Sequence, residues 1–129
     1  MPLKENSAAV AAARALVEAG DRHDYDAVRA TIADDVALSM VAADAAFPKT
    51  ELNGVEPYMR GLIRFKDAVV AGSTEVVEAL GDDKQALLRV NSKVRISPHA
   101  PEMDARSARM YVLNDAGKIK TEHVLFFLT

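Results

Sequence analysis

The chain has 129 residues, half of them apolar, enough to bury one core without disulfides or metal. It contains no cysteine, which removes disulfides, thiolate metal sites and cysteine nucleophiles together and makes a reducing, cytoplasmic setting the expectation. Its 16 basic and 19 acidic side chains leave a net charge of −3 with no basic stripe, and no run reaches the roughly 20 apolar residues of a membrane span, so neither nucleic acid nor a membrane is an expected partner.

Asn6 or Ser7 can cap a first helix in which Val10, Ala13, Leu16 and Val17 recur at helical spacing, with Gly20 placed to end it. Arg14 and Glu18 interrupt this alanine-rich stretch, which therefore reads as a helix rather than a secretion signal. After Asp21-Arg22-His23, Asp24 can cap a second helix whose Tyr25, Val28 and Ile32 share a stripe. Asp34-Asp35 breaks that pattern, and Val36, Leu38 and Met40 alternate with Ala37, Ser39 and Val41 as in a strand. A loop from Asp44 to Asn53-Gly54 leads to a third helix with Pro57 in its first turn, Tyr58, Leu62, Phe65 and Val69 on one face, and Gly72 as its stop.

The rest reads as strands at 74–80, 86–96, 103–113 and 118–128, joined by turns at Gly81-Asp82-Asp83, Pro98/Pro101 and 114–117. Turns rather than helical crossovers join them, so the sheet is mostly antiparallel and the amphipathic helices cover one of its faces. The expected architecture is a single α+β domain over residues 1–129, with no repeat or linker.

Several phrases carry a family likeness: Ala15-Leu16-Val17-Glu18-Ala19-Gly20-Asp21 followed by Tyr25-Asp26-Ala27-Val28, then Ile32-Ala33-Asp34-Asp35-Val36, Asn53-Gly54-Val55-Glu56-Pro57-Tyr58 and Ala116-Gly117-Lys118-Ile119. In that order and spacing, from about Val10 to Thr129, they resemble the NTF2-like superfamily, the cone-shaped fold of nuclear transport factor 2, ketosteroid isomerases and SnoaL-like polyketide cyclases. The resemblance implies three helices on a curved sheet around an apolar interior. It does not imply one activity, because this fold hosts enzymes, binding proteins and assembly modules alike.

The catalytic positions of these relatives do not carry over intact. The isomerases' first-helix tyrosine falls on Ala13. Their penultimate-strand acid falls on Arg109, which is always charged. Their base falls on Met40 counted from Asp35, or near Ala45 beside Asp44 counted back from Gly54. The cyclases' strand acid also meets Arg109, and the stretch holding their histidine is shortened here.

Pairing Leu113 with Lys118 around the last turn sets Arg109 directly opposite Glu122. If the family's inward face is kept, Arg109, Tyr111, Glu122 and Phe126 point into the interior, where a guanidinium can hold a carboxylate, enolate or phenolate oxygen. A register slipped by one residue would instead turn the pair outward as an exposed ion pair of little energetic weight. Asp44, in the loop crossing the open end of the cone, reads either as a general base beside Arg109 and Tyr111 or as an ordinary loop aspartate. Met40, Phe47, Tyr58, Met59, Ile63, Met103 and Met110 read as an adaptable apolar lining or equally as core.

His123 alternates with Glu122 and shares the outer face with Thr121, Leu125 and Phe127, an apolar surface that suggests a homodimer through the sheet. Three scattered histidines, with His99 in a hairpin loop and His23 in a linker, have no metal-ligand spacing, and neither a phosphate loop nor a nucleophile elbow is present, so no metal or cofactor is expected. Two functions stay open: a SnoaL-like protein that binds a small apolar molecule and shifts a proton as an isomerase or cyclase does, or a non-catalytic binding or dimerisation module.

Overall fold

The computed structural model describes residues 6–44 and 48–129. Helix α1 (Ala8–Asp21) starts where Ser7 Oγ accepts from the Val10 amide at 3.3 Å, and α2 (Tyr25–Thr31) starts where Asp24 Oδ1 accepts from the Ala27 amide at 3.2 Å. Six strands follow: β1 (Ile32–Ala42), β2 (Thr50–Asn53), β3 (Glu75–Gly81), β4 (Gln85–Val94), β5 (Met103–Leu113) and β6 (Ile119–Leu128), with α3 (Val55–Arg64) between β2 and β3. They form one curved sheet in the order β2-β1-β6-β5-β4-β3, antiparallel throughout except where β1 runs parallel to β6. The expected α+β cone is therefore found.

The three helices lie on one face, and the core between them and the sheet is built from Val10, Leu16, Val28, Val36, Tyr111 and Ile119. Val10, Leu16 and Val17 share one stripe of α1, so burying it removes the only large apolar surface that helix has.

Four local expectations are corrected. The first strand begins at Ile32, directly from α2, and Asp34-Asp35 does not precede it; the two exposed carboxylates sit in a register irregularity between Ile32 and Ala37, where the ladder to β6 is broken. Residues 50–53, expected as loop, form edge strand β2 against residues 37–40. Helix α3 stops at Arg64, well before Gly72, because the chain turns there and residues 68–70 bond to the end of β4 through Val70 N to Lys93 O (2.9 Å) and Arg95 N to Ala68 O (2.8 Å). Phe65 is left 61 % exposed beneath the Arg64 guanidinium, and Val69 bridges to Val94. Gly20 does not end α1; the residue with positive φ is His23, at +58°.

The register of the last hairpin also differs from expectation. Asn114 N bonds Lys118 O at 2.8 Å, so the turn is one residue shorter than expected, and a bulge between Val112 and Leu113 on the ladder shifts the pairing by one more. Tyr111, not Arg109, therefore faces Glu122, and Arg109 faces Val124. Two single-residue shifts restore the side-chain alternation, so the inward face is preserved.

Candidate functional site

Side chains on the inner wall change in burial along the strands. Toward one end, Leu88, Tyr111, Leu113, Ile119 and Val124 are all buried; toward the other, Met40, Ser92, Met103, Ala105, Phe126 and Leu128 are only half-buried. The cone thus has a closed end and an open one. Arg109 stands between them, half-buried on β5, with Tyr111 one step deeper and Ser107 one step nearer the mouth.

The polar groups of this wall are arranged in sequence. Ser107 Oγ donates to the Val90 carbonyl at 3.3 Å and accepts from Arg109 Nε at 3.0 Å, which fixes the guanidinium by one edge. Arg109 makes no ion pair with Glu122. Glu122, 5 % exposed on β6, accepts at Oε1 from the hydroxyl of Tyr58 on α3 at 2.7 Å. The Tyr111 hydroxyl, opposite Glu122 and fully buried, makes no hydrogen bond within 3.5 Å among the described residues, but it lies near enough to Glu122 and Arg109 for both to act on its proton.

Burial, and then the negative charge of Glu122, push both Tyr58 and Tyr111 well above the ordinary tyrosine value, so both hydroxyls keep their protons. For Arg109, burial disfavours the charge, but the oxygens of Tyr111, Glu122 and Tyr58 outweigh it and hold the guanidinium above its usual value. The cluster therefore presents a permanent cation, two neutral phenols and one carboxyl group within a largely apolar wall. The guanidinium of Arg109, beside the Tyr111 hydroxyl, is a donor group that suits an oxygen carrying or developing negative charge.

The remaining residues expected at the site are dispersed. Tyr58 and Met59 are buried on the inner side of α3, whereas Ile63 is 44 % exposed on its solvent side and takes no part in the lining. Met40 and Phe126 flank the open end. Met110 lies on the opposite face of the sheet, between Leu87 and His123. Asp44 is exposed in the bend after β1, just past the Ala43 N to Phe126 O bond that closes the rim. Phe47 lies outside the described residues. Sequence reading missed Ser107 and the Tyr58–Glu122 bond. Ser107 was legible, being two residues from Arg109 on the same strand face; a bond spanning 64 positions had no local signal.

Two surface concavities lie away from this wall: a cleft of about 370 Å3 between α1 and the start of β3, with Arg14, Glu18, Asp21 and Arg22 on its sides, and a groove of about 220 Å3 over β3–β5 that includes Lys93, Asp104 and Arg106. Among the described residues no three His, Asp or Glu side chains converge as metal ligands would, and no described helix is long and apolar enough to cross a membrane.

Known structures share the whole fold. Rv0760c from Mycobacterium tuberculosis, solved in complex with estradiol-17beta-hemisuccinate, aligns with a TM-score of 0.76 at 17% identity over 92% of this chain and 93% of that one. An LEH-like epoxide hydrolase from M. tuberculosis aligns at 0.71 with 19% identity, covering 92% and 82% of the two chains, and a computationally designed 17-OHP binder at 0.71 with 17% identity, covering 92% and 90%. At these identities the likeness is one of fold. Among curated proteins none matches the chain. The model of the SnoaL-like domain matches residues 13–122, a span that runs from the buried face of α1 to Glu122 itself, and the chain belongs to the SnoaL-like family.

Proposed function

We propose that this protein binds a small, largely apolar molecule at the open end of the cone and holds its oxygen function with Arg109 and Tyr111. The observation that carries the reading is Arg109, half-buried on the inner wall between the closed and open ends, with its guanidinium fixed by Ser107 and paired with no carboxylate among the described residues. The half-buried apolar residues above supply the remaining contact, as in most small-molecule sites. Two fold relatives named above support this choice: one was solved in complex with estradiol-17beta-hemisuccinate, and another is a computationally designed 17-OHP binder.

The same donors would stabilise an enolate. In a catalytic version, Asp44 at the rim takes a proton from carbon next to a carbonyl, the C–H electron pair moves onto the oxygen facing Arg109 and Tyr111, and the proton returns at another carbon. That isomerase- or cyclase-type step needs Asp44 brought from its exposed bend to the ligand, so binding is the primary reading and turnover the secondary one.

A second surface supports a homodimer. On the outer face, Leu87, Met110, His123, Ala108, Leu125 and Val41 are joined through successive strand pairings, and Leu87, Leu125 and Phe127 are 53%, 60% and 45% exposed. An apolar band of this kind, continuous over several strands, is the sort of surface a second copy covers.

A thermal-shift screen of small aromatic ketones and acids tests the binding reading. The midpoint of the natural protein should rise with a ligand that it binds, and the same ligand should leave Arg109→Met unshifted. Equal shifts in both proteins, or none in either, would exclude Arg109 as the anchor.

A further inference from the structure

The large apolar side chains left exposed fall into two groups. Leu80, Leu87, Leu125 and Phe127 lie on the outer face of the sheet, and Val77 lies in the bulge of edge strand β3. Ile63, Phe65 and Ile96 lie elsewhere, at the end of α3 and just beyond β4, where a second copy on the outer face leaves them uncovered.

The backbone brings these three to one rim. After α3 it crosses to the end of β4: Ala68 N bonds Phe65 O at 3.0 Å, Arg95 N bonds Ala68 O at 2.8 Å, and Val69 bridges Val94. Val94 pairs with Met103 at the open end of the cone. Phe65 and Ile96 therefore stand on neighbouring segments at the mouth. Cations accompany them. Arg60, Arg64 and Lys66 are exposed, and none forms an ion pair among the described residues. Arg60 lies one turn before Arg64 on α3, and the Arg64 guanidinium sits 5.6 Å from the centre of the Phe65 ring. Over residues 60–67 the only acid is Asp67, and Glu102, in the facing loop, is taken by Arg95. The net charge of −3 over the whole chain hides this local positive excess.

Protruding apolar side chains suit a deformable surface rather than a peptide, which needs a groove, and neither concavity described above is lined by any of them. Cations interleaved with apolar groups match an anionic bilayer, where the apolar groups enter the acyl boundary and the cations meet the headgroups. We propose that Arg60, Ile63, Arg64, Phe65, Lys66 and Ile96 dock the open end of the cone on an anionic lipid surface. An apolar ligand then passes between bilayer and cone without crossing water, but the docking itself is independent of what binds at Arg109.

The chain has no tryptophan, so Phe65→Trp places a single fluorophore in the rim. With vesicles of roughly two parts phosphatidylcholine to one part phosphatidylserine its emission should shift to the blue, and binding should be about tenfold tighter than to phosphatidylcholine alone, since each cation near such a surface is worth about fivefold. Added salt should weaken it. The triple variant Arg60→Gln/Arg64→Gln/Lys66→Gln should lose the preference for the anionic lipid. In vesicle sedimentation, Phe65→Ser/Ile96→Ser should bind both compositions more weakly than the natural protein. All five positions are exposed, and an unchanged circular dichroism spectrum checks that each variant is folded. No blue shift, or vesicle binding that survives both variants, would overturn the assignment. If poly-glutamate binds through the three cations and the vesicles do not bind, the surface serves an acidic protein and the lipid assignment is wrong. Ligand binding at Arg109 is measured without vesicles, so either reading can fail while the other stands.

Discussion

Tyr111 carries the sharpest consequence at the scale of a single residue. Its hydroxyl is buried and makes no hydrogen bond within 3.5 Å among the described residues, so Tyr111→Phe removes a desolvated polar group without opening a cavity. Ligand-free stability should rise by about 1 kcal/mol in urea denaturation, while affinity for any ligand held at Arg109 falls; a destabilised variant would mean that the hydroxyl has a partner. Stability given up for a functional group is the pattern expected at a binding site. The two buried tyrosines also set an alkaline limit. Burial and the Glu122 charge raise both above their unfolded values, so the stability they contribute is complete below the ordinary tyrosine value of 10.0 and is lost as pH rises beyond it. Each loses about 1.4 kcal/mol per pH unit in that range. The thermal midpoint should fall steeply above about pH 10, and less steeply in Tyr111→Phe.

Among the elements, α1 shows how a cap can be correct in place and wrong in chemistry. After the helix, Asp24 N bonds Ala19 O at 2.9 Å and His23 N bonds Gly20 O at 3.1 Å, the paired bonds of a Schellman turn, with His23 rather than a glycine in the left-handed position. Gly20, the residue that looked like the stop, lies inside the helix with no atom within 4 Å of where its Cβ would be. Gly20→Ala should therefore stabilise the protein by about 0.5–1 kcal/mol. His23→Gly should stabilise it by a similar amount, about 0.5–1 kcal/mol, since left-handed backbone costs most side chains more than that. A fall in urea midpoint for either variant would contradict this account of the cap. The β5–β6 hairpin makes the complementary point. Its turn was legible at Asn114 and at Gly117, whose φ is +79°, but the bulge beyond it is a property of the paired strands, and only together with the tighter turn does it bring Tyr111 opposite Glu122.

At the level of the whole molecule, the sheet has two faces of different use. Its inner face meets the helices and carries the polar cluster; its outer face carries an apolar band through Leu87, Met110, Ala108, Leu125 and Phe127, bordered by Arg106 and by cross-strand ion pairs such as Arg89–Glu78 at 2.7 Å and Arg95–Glu102 at 2.9 Å. Those pairs are about half exposed and add little stability, but they would ring the apolar band in a dimer. Sedimentation at micromolar concentration should give a dimeric mass, and Leu125→Asp should convert it to a monomer that keeps its helical and sheet signal in circular dichroism. A monomeric mass for the natural protein would exclude the sheet-face dimer. Taken by itself, the sequence determined the α+β class, the order of helices and long strands, the caps at Ser7 and Asp24, and which strand residues share a face, because propensity, capping and two-residue alternation act over a few neighbouring positions. Tertiary structure alone decided that β1 lies parallel to β6, that Tyr58 reaches Glu122, and that Arg109 is tied to Ser107 rather than to the glutamate it was expected to face. Alternation says which way a side chain points but not what it meets, since the partner depends on long-range pairing and on bulges whose energy comes from the assembled sheet.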